Sequence, residues 1–565
     1  MSDRVNKSGD DAVMNKPKLF SSTMLMASGT LVSRTLGMVR VLLVGYLFTS
    51  TSIQADIFNI SSSIPSQMYL LLAGGILNAI LVPQLMRSMK EDADGGQAYS
   101  DRIVTLFGLM VLGITALLVL LNPFVVRLIT RPTWRVDELA SQYDSLIMLT
   151  ALVMPQVFFF GMFFLGGQIL NSRGSFGPLM WAPALNNVIQ VAMLGIYALI
   201  WGFHNDTTQA FTTSQILLLG LGSVFGVAIQ MAILIPFLKK VGFRYRPRFD
   251  FLHTGLGSTA HLAKWALGLV VVDQLNFFII TRLTGSATLS GSGAGSFVFT
   301  TAMLVSLLPH ALLTVSLATA LLPSLSKLAV EQNWEHFTGQ FISSIRTIYV
   351  VVMPLSLIMA SISIPGMIMA YGIPNGGVQI GWTLIVLSAG LIPFTLRFLV
   401  MKGFNSMQNT RTPFFVEILF VAVTSGVSLL LVLLFKVPPA WVAPSVAFGY
   451  VMGYITSAFL AWILFRNTVP GLETKKIAGH TLVLFLISVP ASALAWGVMW
   501  LQNWLIPGRP QILIGLVIAG TLGFGVYWGL AKLVKIPEVE DLSSIIRSRL
   551  RKEPRVDTHK PGSGD

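Results

Sequence analysis

The sequence predicts an all-α polytopic membrane protein with fourteen transmembrane helices. Three observations carry that expectation. The 565-residue chain is 54% hydrophobic and only 11% charged, with a mean hydropathy of +0.73, whereas soluble domains carry about 25% charged residues. Apolar stretches recur along its whole length, each long enough for the ~20 residues that cross a bilayer as a helix. Basic residues are dense in alternate loops and scarce in the others, the bias that sets membrane orientation.

Taken in order, residues 1–18 are polar and basic (Arg4, Lys7, Lys16, Lys18) and read as a cytoplasmic N-terminus. The apolar stretch that follows is too long for the core of a cleaved leader, so it is expected to be a retained span. The spans fall near residues 19–48, 57–86, 103–126, 145–170, 178–202, 215–238, 258–281, 297–325, 347–371, 378–401, 414–435, 440–465, 477–501 and 511–531. An even number puts both termini on one side. Of the 38 Lys and Arg, 28 then lie on the side of the termini, 6 on the other and 4 within spans. That excess predicts N-in and C-in topology. The cluster Lys239, Lys240, Arg244, Arg246, Arg248 and the tail residues Arg547, Arg549, Arg551, Lys552 supply much of it and are expected to meet anionic lipid. Loops 203–214, 285–296 and 372–377 contain a single Asp and no Lys or Arg. From Ile536 a short charged tail reads as one amphipathic helix followed by disorder. The net charge of +14 is thus an orientation signal, and no nucleic acid is expected as a partner.

A faint internal repeat orders these spans. Phe164-Leu165 is followed by Asn171-Ser172, Arg173 and Pro178, and Phe398-Leu399, offset by 234 residues, is followed by Asn405-Ser406, Arg411 and Pro413. Pro83-Gln-Leu-Met-Arg and Pro323-Ser-Leu-Ser-Lys recur at an offset of 240. The repeat predicts two six-span lobes in parallel orientation, with spans 2 and 8, and 4 and 10, corresponding. That is a transporter architecture with the substrate between the halves. The expected parts are the basic N-terminus 1–18, an N-lobe 19–240, a basic loop 241–257, a C-lobe 258–466, two appended helices 467–535 and a cytoplasmic tail 536–565.

The sequence offers little for an enzyme. Without cysteine there are no disulfides, thiolate chemistry or Cys-based zinc sites. The seven histidines are scattered, no HExxH or Walker A sequence occurs, and no nucleophile–base pair stands out. No catalytic residue, metal or cofactor is expected.

The informative residues are polar groups inside spans. Arg34 and Arg40 lie in the first, six residues apart, or about 9 Å along a helix. A charge at the bilayer centre costs roughly 2.5–3.5 kcal/mol on insertion scales, so both are expected to face a wet cavity, a partner or an anionic ligand. Asp56 begins span 2, Asn186 and Asn187 lie in span 5, Asp273 in span 7, Arg397 in span 10 and Glu417 in span 11. Blander roles compete for each. The arginines have internal ion pairs open to them, Asp56 an interfacial position, and the asparagines bonds across helices. Lys264 can snorkel and His310 can be a satisfied core residue. Cations outnumber carboxylates within the spans, which suits an anionic headgroup. Arginine suits phosphate because its planar fork bonds bidentately. Ser33 and Gly37 share a helix face and allow a close helix approach.

These residues also match a family. Ser33-Arg34-Thr-Leu-Gly37-Met-Val-Arg40, Ala55-Asp56-Ile-Phe58, Pro65 and Val82-Pro83 resemble the N-terminal signature of the MurJ/MviN lipid II flippases of the MOP superfamily. So do Asn171-Ser-Arg173-Gly-Ser-Phe176-Gly-Pro178, Ala182-Pro183-Ala-Leu-Asn186-Asn187, Gly222-x3-Gly226-x3-Gln230, Gln274-Leu-Asn276, Leu322-Pro323-Ser-Leu-Ser326 and Thr410-Arg411-Thr412-Pro413. The match runs in order from about residue 20 to 535. It implies two six-helix lobes in pseudo-twofold arrangement plus two C-terminal helices forming a lipid groove. It also implies translocation of the undecaprenyl-pyrophosphate-linked peptidoglycan precursor, lipid II, in a bacterial cytoplasmic membrane. Arg34 and Arg40 fall on the family's cavity arginines and Asp56 on its span-2 aspartate. Departures occur where members carry charge: Tyr69-Leu70 and Gly74 after Pro65, Leu304 and Leu307 in span 8, and Ile280 in span 7. This pattern is similar to the actinobacterial branch, without the kinase-like region that longer relatives carry.

The combined expectation is a flippase working by alternating access without ATP. Arg34, Arg40, Asp56, Arg397, Asn186 and Asn187 are the candidate substrate-binding residues. Asp273 and Glu417 are candidates for ion coupling. Membrane lipids and other peptidoglycan-synthesis proteins are expected as partners. Another MOP transporter, exporting a lipid-linked polysaccharide, a cation or a drug, is the nearest alternative, followed by a scaffold or enzyme of wall synthesis. A cation exporter should line its cavity with carboxylates, whereas this chain supplies arginines.

Overall fold

A computed structural model describes residues 16–71, 82–92, 94–203, 208–251, 256–290, 293–506 and 508–550. Among these residues there is no strand. The chain runs α1 (Lys16–Phe48), α2 (Ile53–Leu71), α3 (Val82–Glu91), α4 (Gln97–Leu120), α5 (Asn122–Ile129), α6 (Ala140–Val153), α7 (Gln156–Ser172), α8 (Gly177–Trp201), α9 (Thr213–Ala232), α10 (Leu234–Lys240) and α11 (Leu256–Thr284). It continues α12 (Ser296–Ser306), α13 (Val315–Val330), α14 (Trp334–Tyr371), α15 (Gly377–Ala389), α16 (Leu391–Ser406), α17 (Arg411–Leu429), α18 (Val442–Thr468), α19 (Thr474–Leu505), α20 (Arg509–Leu533) and α21 (Pro537–Leu550).

Local chemistry sets the helix starts. Ser52 caps α2 by accepting from the Ala55 N–H at 3.1 Å, and Thr212 with Gln215 closes a capping box on α9. Before α4, Gly96 sits at φ +77° and a Cβ there would press within 3.0 Å of the Met89 backbone, so this turn requires glycine. Asp94 accepts from the Ala98 N–H at 2.7 Å and the Gly96 N–H at 3.0 Å. Those donors hold its carboxyl below the usual carboxylate range.

The internal repeat has a backbone counterpart. At the end of α7, Ser175 N–H bonds to the Leu170 carbonyl and Gly174 N–H to that of Asn171, with Gly174 at φ +76°. At the end of α16, Asn409 N–H bonds to Phe404 and Gln408 N–H to Asn405, with Gln408 at φ +57°. Both are Schellman terminations, and they coincide residue for residue at the 234-residue offset. Ser172 and Ser406 each donate to the carbonyl three residues back, at 2.8 and 2.7 Å.

Among the described residues, 11 helices are long and apolar enough to cross a membrane, or up to 12 if the pair Gly377–Ala389 and Leu391–Ser406, bent by 48°, is one span. Each of these matches an expected span. The expected spans 2 and 8, which the repeat pairs with one another, fall short of the fourteen. In span 2, Asn59, three successive serines (Ser61–Ser63), Pro65 and Gln67 dilute the apolar character of α2, and residues 72–81, with Gly74, lie outside the described set. Span 8 is interrupted by a π-helical turn at His310–Thr314 between α12 and α13. A π-turn breaks the i to i−4 ladder.

The chain divides into two compact units: Met1–Leu307 with Ser363–Phe465, and Leu308–Ile362 with Arg466–Asp565. Residues 308–362, expected with the C-lobe, are therefore grouped with the appended helices. In the second unit Tyr527 of α20 donates to the Val350 carbonyl of α14 at 2.6 Å, and Ser492 of α19 to that of Leu357 at 3.2 Å. Small residues bring helices together in the first unit. Gly449 and Gly453 of α18 lie against Thr424 and Ser428 of α17, a close approach that larger side chains would block.

Candidate functional site

The first unit contains every residue expected to bind substrate or a coupling ion. They fall into three clusters, the second and third of which share the lining of one cavity.

The first cluster lies on the α1–α8 pair. Gly29, Ser33 and Gly37 form a stripe at four-residue spacing, the spacing that stacks side chains on one helix face. A Cβ at Gly29 would meet the Trp181 ring at 2.7 Å, and one at Gly37 would meet the Asn187 amide at 3.6 Å. Asn187 donates to the Ser33 carbonyl at 2.9 Å and its hydroxyl at 3.3 Å, so this asparagine clamps the two helices. Arg40, half-buried, donates to the Gln190 amide oxygen at 3.3 Å. Gln190 in turn donates to Asn186 Oδ1 at 3.1 Å, and that oxygen sits against Gly226 of α9. Arg34 is exposed, on a different face of α1 from the packed stripe.

This arrangement has an electrostatic consequence. Gln190 and Asn186 orient Arg40 without neutralising it, because an amide dipole carries no net charge. Among the described residues no carboxylate ion-pairs with Arg34 or Arg40, so neither of these two guanidinium groups has a counter-charge on the chain.

In the second cluster, Asp56 is wholly buried at the first turn of α12. Its carboxylate accepts from the Phe297 N–H at 2.8 Å and the Thr288 hydroxyl at 3.0 Å, and it occupies the space a side chain at Gly295 would need. One turn on, Asn59 donates to Ser296 Oγ at 3.0 Å and accepts from Thr300 at 3.1 Å. Asp56 thus satisfies an otherwise orphan donor at a helix start; it does not join the arginines. Asp56→Ala is expected to cost about 1–3 kcal/mol by leaving buried donors unpaired. Asp56→Asn, which keeps one acceptor oxygen, should lose much less. Thermal unfolding of the purified variants checks this, and equal losses would contradict the capping role.

The third cluster joins α11, α16, α17 and α18. Arg397 pairs with Glu417, both buried, and its guanidinium lies over the Phe420 ring at 4.6 Å. Phe420 stacks on Tyr454 at 5.1 Å. Asn276 donates to the Tyr450 hydroxyl at 3.0 Å and accepts from Ser425 at 3.2 Å. Arg397, expected with the anion-binding residues, is thus held by a carboxylate and an aromatic face. Asp273 is exposed and opens on a cavity of about 220 Å³ lined also by Ser63, Gln67, Asn276, Thr300 and Tyr450. The departures Tyr69, Leu304 and Leu307 are all uncharged positions, and Tyr69 packs on Phe160 and Phe164.

Gln190 was not among the expected residues. Its signal is the Asn186-x3-Gln190 spacing, which places two amides on one helix face. The partners of Asp56 had none, being Thr288 and a backbone N–H over 230 residues away.

Comparison with known proteins follows the same outline. A family profile described as lipid II flippase MurJ matches residues 44–513. The chain is 26% identical over 545 residues to a probable lipid II flippase MurJ of Vibrio cholerae, covering 92% of this chain and 96% of the relative. It is 26% identical over 547 residues to that of Bdellovibrio bacteriovorus, covering 94% and 98%. A solved structure of lipid II flippase MurJ in an inward closed conformation superposes with a TM-score of 0.69 at 17% identity, over 90% of this chain and 99% of that one. An inward-facing multidrug resistance MATE family transporter of the MOP superfamily gives 0.59 at 14% identity, over 80% and 98%. At those identities the structural matches speak for the fold alone.

Proposed function

The chain belongs to the MurJ lipid II flippase family, and from that premise we propose that it moves lipid II across a bacterial cytoplasmic membrane by alternating access. The single observation that carries the substrate reading is the pair Arg34 and Arg40, one open and the other, among the described residues, held only by a neutral amide. A pyrophosphate entering between the lobes meets two unneutralised guanidinium groups, whose planar donors suit phosphate oxygens. Asn186 and Asn187 act through the arginine helix, the first by orienting Arg40 through Gln190 and the second by clamping α1.

In this reading residues 19–240 and 258–466 act as the two lobes, and 467–535 carry the polyprenyl tail in lipid. The termini face the cytoplasm in this reading, which the excess of basic residues in the loops on their side supports. The membrane potential supplies direction. One elementary charge moved through 100 mV is worth about 2.3 kcal/mol, so an anionic headgroup is driven out of a negative interior without ATP. The chain acts as a transporter and breaks no bond in its substrate. Where ion coupling contributes, Asp273 is the more accessible carboxylate and Glu417 the one already committed to Arg397. Other proteins of peptidoglycan synthesis are its expected neighbours.

The test is a leaflet assay in cells depleted of their own flippase. Expression of this chain should restore lipid II to the outer face of the membrane. Lipid II trapped on the inner face, with the protein correctly inserted, would leave the scaffold reading in its place.

A further inference from the structure

A groove of about 980 Å³ runs along the first unit, away from the arginine helix. That volume is at the upper end of the range for ligand sites, about 300–1,000 Å³. Three helices supply most of its lining: Leu109 and Leu112 of α4, Phe158 and Met162 of α7, and Leu234 and Ile235 of α10. Leu109 and Leu112 are 50% and 51% exposed.

The remaining wall is the segment that follows α10. Its sequence alternates, Phe243-Arg-Tyr245-Arg-Pro247-Arg-Phe249. In an extended chain alternate residues point to opposite sides. Phe243, Tyr245, Pro247 and Phe249 all line the groove and Arg246 and Arg248 do not, while Arg244, at the start of the segment, departs from the alternation and lines it too. The segment is fastened along α4 at every step. Gln97 donates to the Arg244 carbonyl at 3.0 Å, and Asp101 accepts from the Arg246 N–H at 3.1 Å. Thr105 accepts from the Arg248 N–H at 3.1 Å and bonds to the Tyr245 hydroxyl at 3.0 Å. Arg102 ion-pairs with Asp250 at 2.6 Å. This wall is therefore a built part of the fold.

Lys239 and Arg244 also line the groove. Among the described residues neither ion-pairs with a carboxylate. An apolar trough with two unneutralised cations and a tyrosine on its lining has the polarity of an amphiphile with an anionic head. We propose that this groove is a binding site for an anionic glycerophospholipid. The acyl chain lies between α4 and α7 under the aromatic strap, and the phosphate sits at Lys239 and Arg244. Charge complementarity selects this occupant: a zwitterionic lipid fills the trough equally well but leaves the two positive charges uncompensated.

Native mass spectrometry of the full-length protein in detergent tests the proposal. Phosphatidylglycerol and phosphatidylcholine with the same acyl chains are titrated separately. Phosphatidylglycerol should be retained at least tenfold better. Lys239→Gln combined with Arg244→Gln should weaken it roughly thirtyfold, the effect of two basic residues at an anionic surface, and leave phosphatidylcholine unchanged. Gly108→Phe should weaken both lipids, because a Cβ there meets nothing closer than Met162 Sδ at 3.6 Å and Gly108 lines the trough that the added ring would fill. Equal retention of the two lipids, or an unchanged phosphatidylglycerol affinity in the double variant, overturns the proposal. So does preferential capture of a polyprenyl phosphate over phosphatidylglycerol. The readout requires no translocation, so its failure leaves the transport reading standing.

Discussion

Arg40→Ala is expected to abolish rescue of cells depleted of their own lipid II flippase, and Arg34→Ala to do the same, with both proteins inserted at normal levels. Each variant removes one of two cations that no carboxylate neutralises among the described residues. Truncating one side of a desolvated, hydrogen-bonded charge pair costs about 2–5 kcal/mol. That is a loss of roughly 30-fold or more in headgroup binding. Gln190→Ala should be milder, since it keeps the charge and loses only the 3.3 Å bond that orients it. Rescue by Arg40→Lys should be incomplete, because an ammonium restores the charge without the planar fork. Full rescue by both alanine variants would remove the phosphate-binding role from this helix.

Glu417→Ala should be the most damaging single change to stability. It leaves the Arg397 guanidinium buried without its counter-charge, a situation that costs about 3–5 kcal/mol. Both partners are nearly excluded from solvent, at 8% and 7% exposure, so water cannot substitute. Arg397→Met with Glu417→Leu should recover most of the loss, because hydrophobic replacement of a whole buried pair is often close to neutral. Thermal unfolding of the single and double variants in detergent reads this directly. A Glu417→Ala protein as stable as the parent would free Arg397 for the substrate and restore it to the anion-binding set.

The contrast between these two arginine environments explains why the candidate site was legible only in part. From the chain alone, Arg34, Arg40 and Arg397 look alike: each is a guanidinium inside an apolar span. Their difference lies in their partners. Gln190 is 150 residues from Arg40, and Glu417 is 20 residues from Arg397 on another helix. No periodicity or local spacing reports such pairings. Asp56 is a sharper case, since its commitment to the start of α12 depends on a backbone N–H 241 residues away. Ser33 and Gly37, by contrast, were readable, because four-residue spacing of small side chains is itself the code for a close helix approach.

The fold class, the order of the spans and the repeat are all legible along the chain. Each follows from quantities that add along the chain: apolar length against bilayer thickness, basic residues per loop, and a 234-residue offset that returns as two matching Schellman turns. Folding in three dimensions governs which charges are still available to a ligand. It seats Arg40 on a neutral amide, spends Arg397 on Glu417 and Asp56 on a helix start, and lays the basic strap after α10 along a groove. Burial cost belongs to the residue, but its compensation belongs to whatever the folded chain brings beside it.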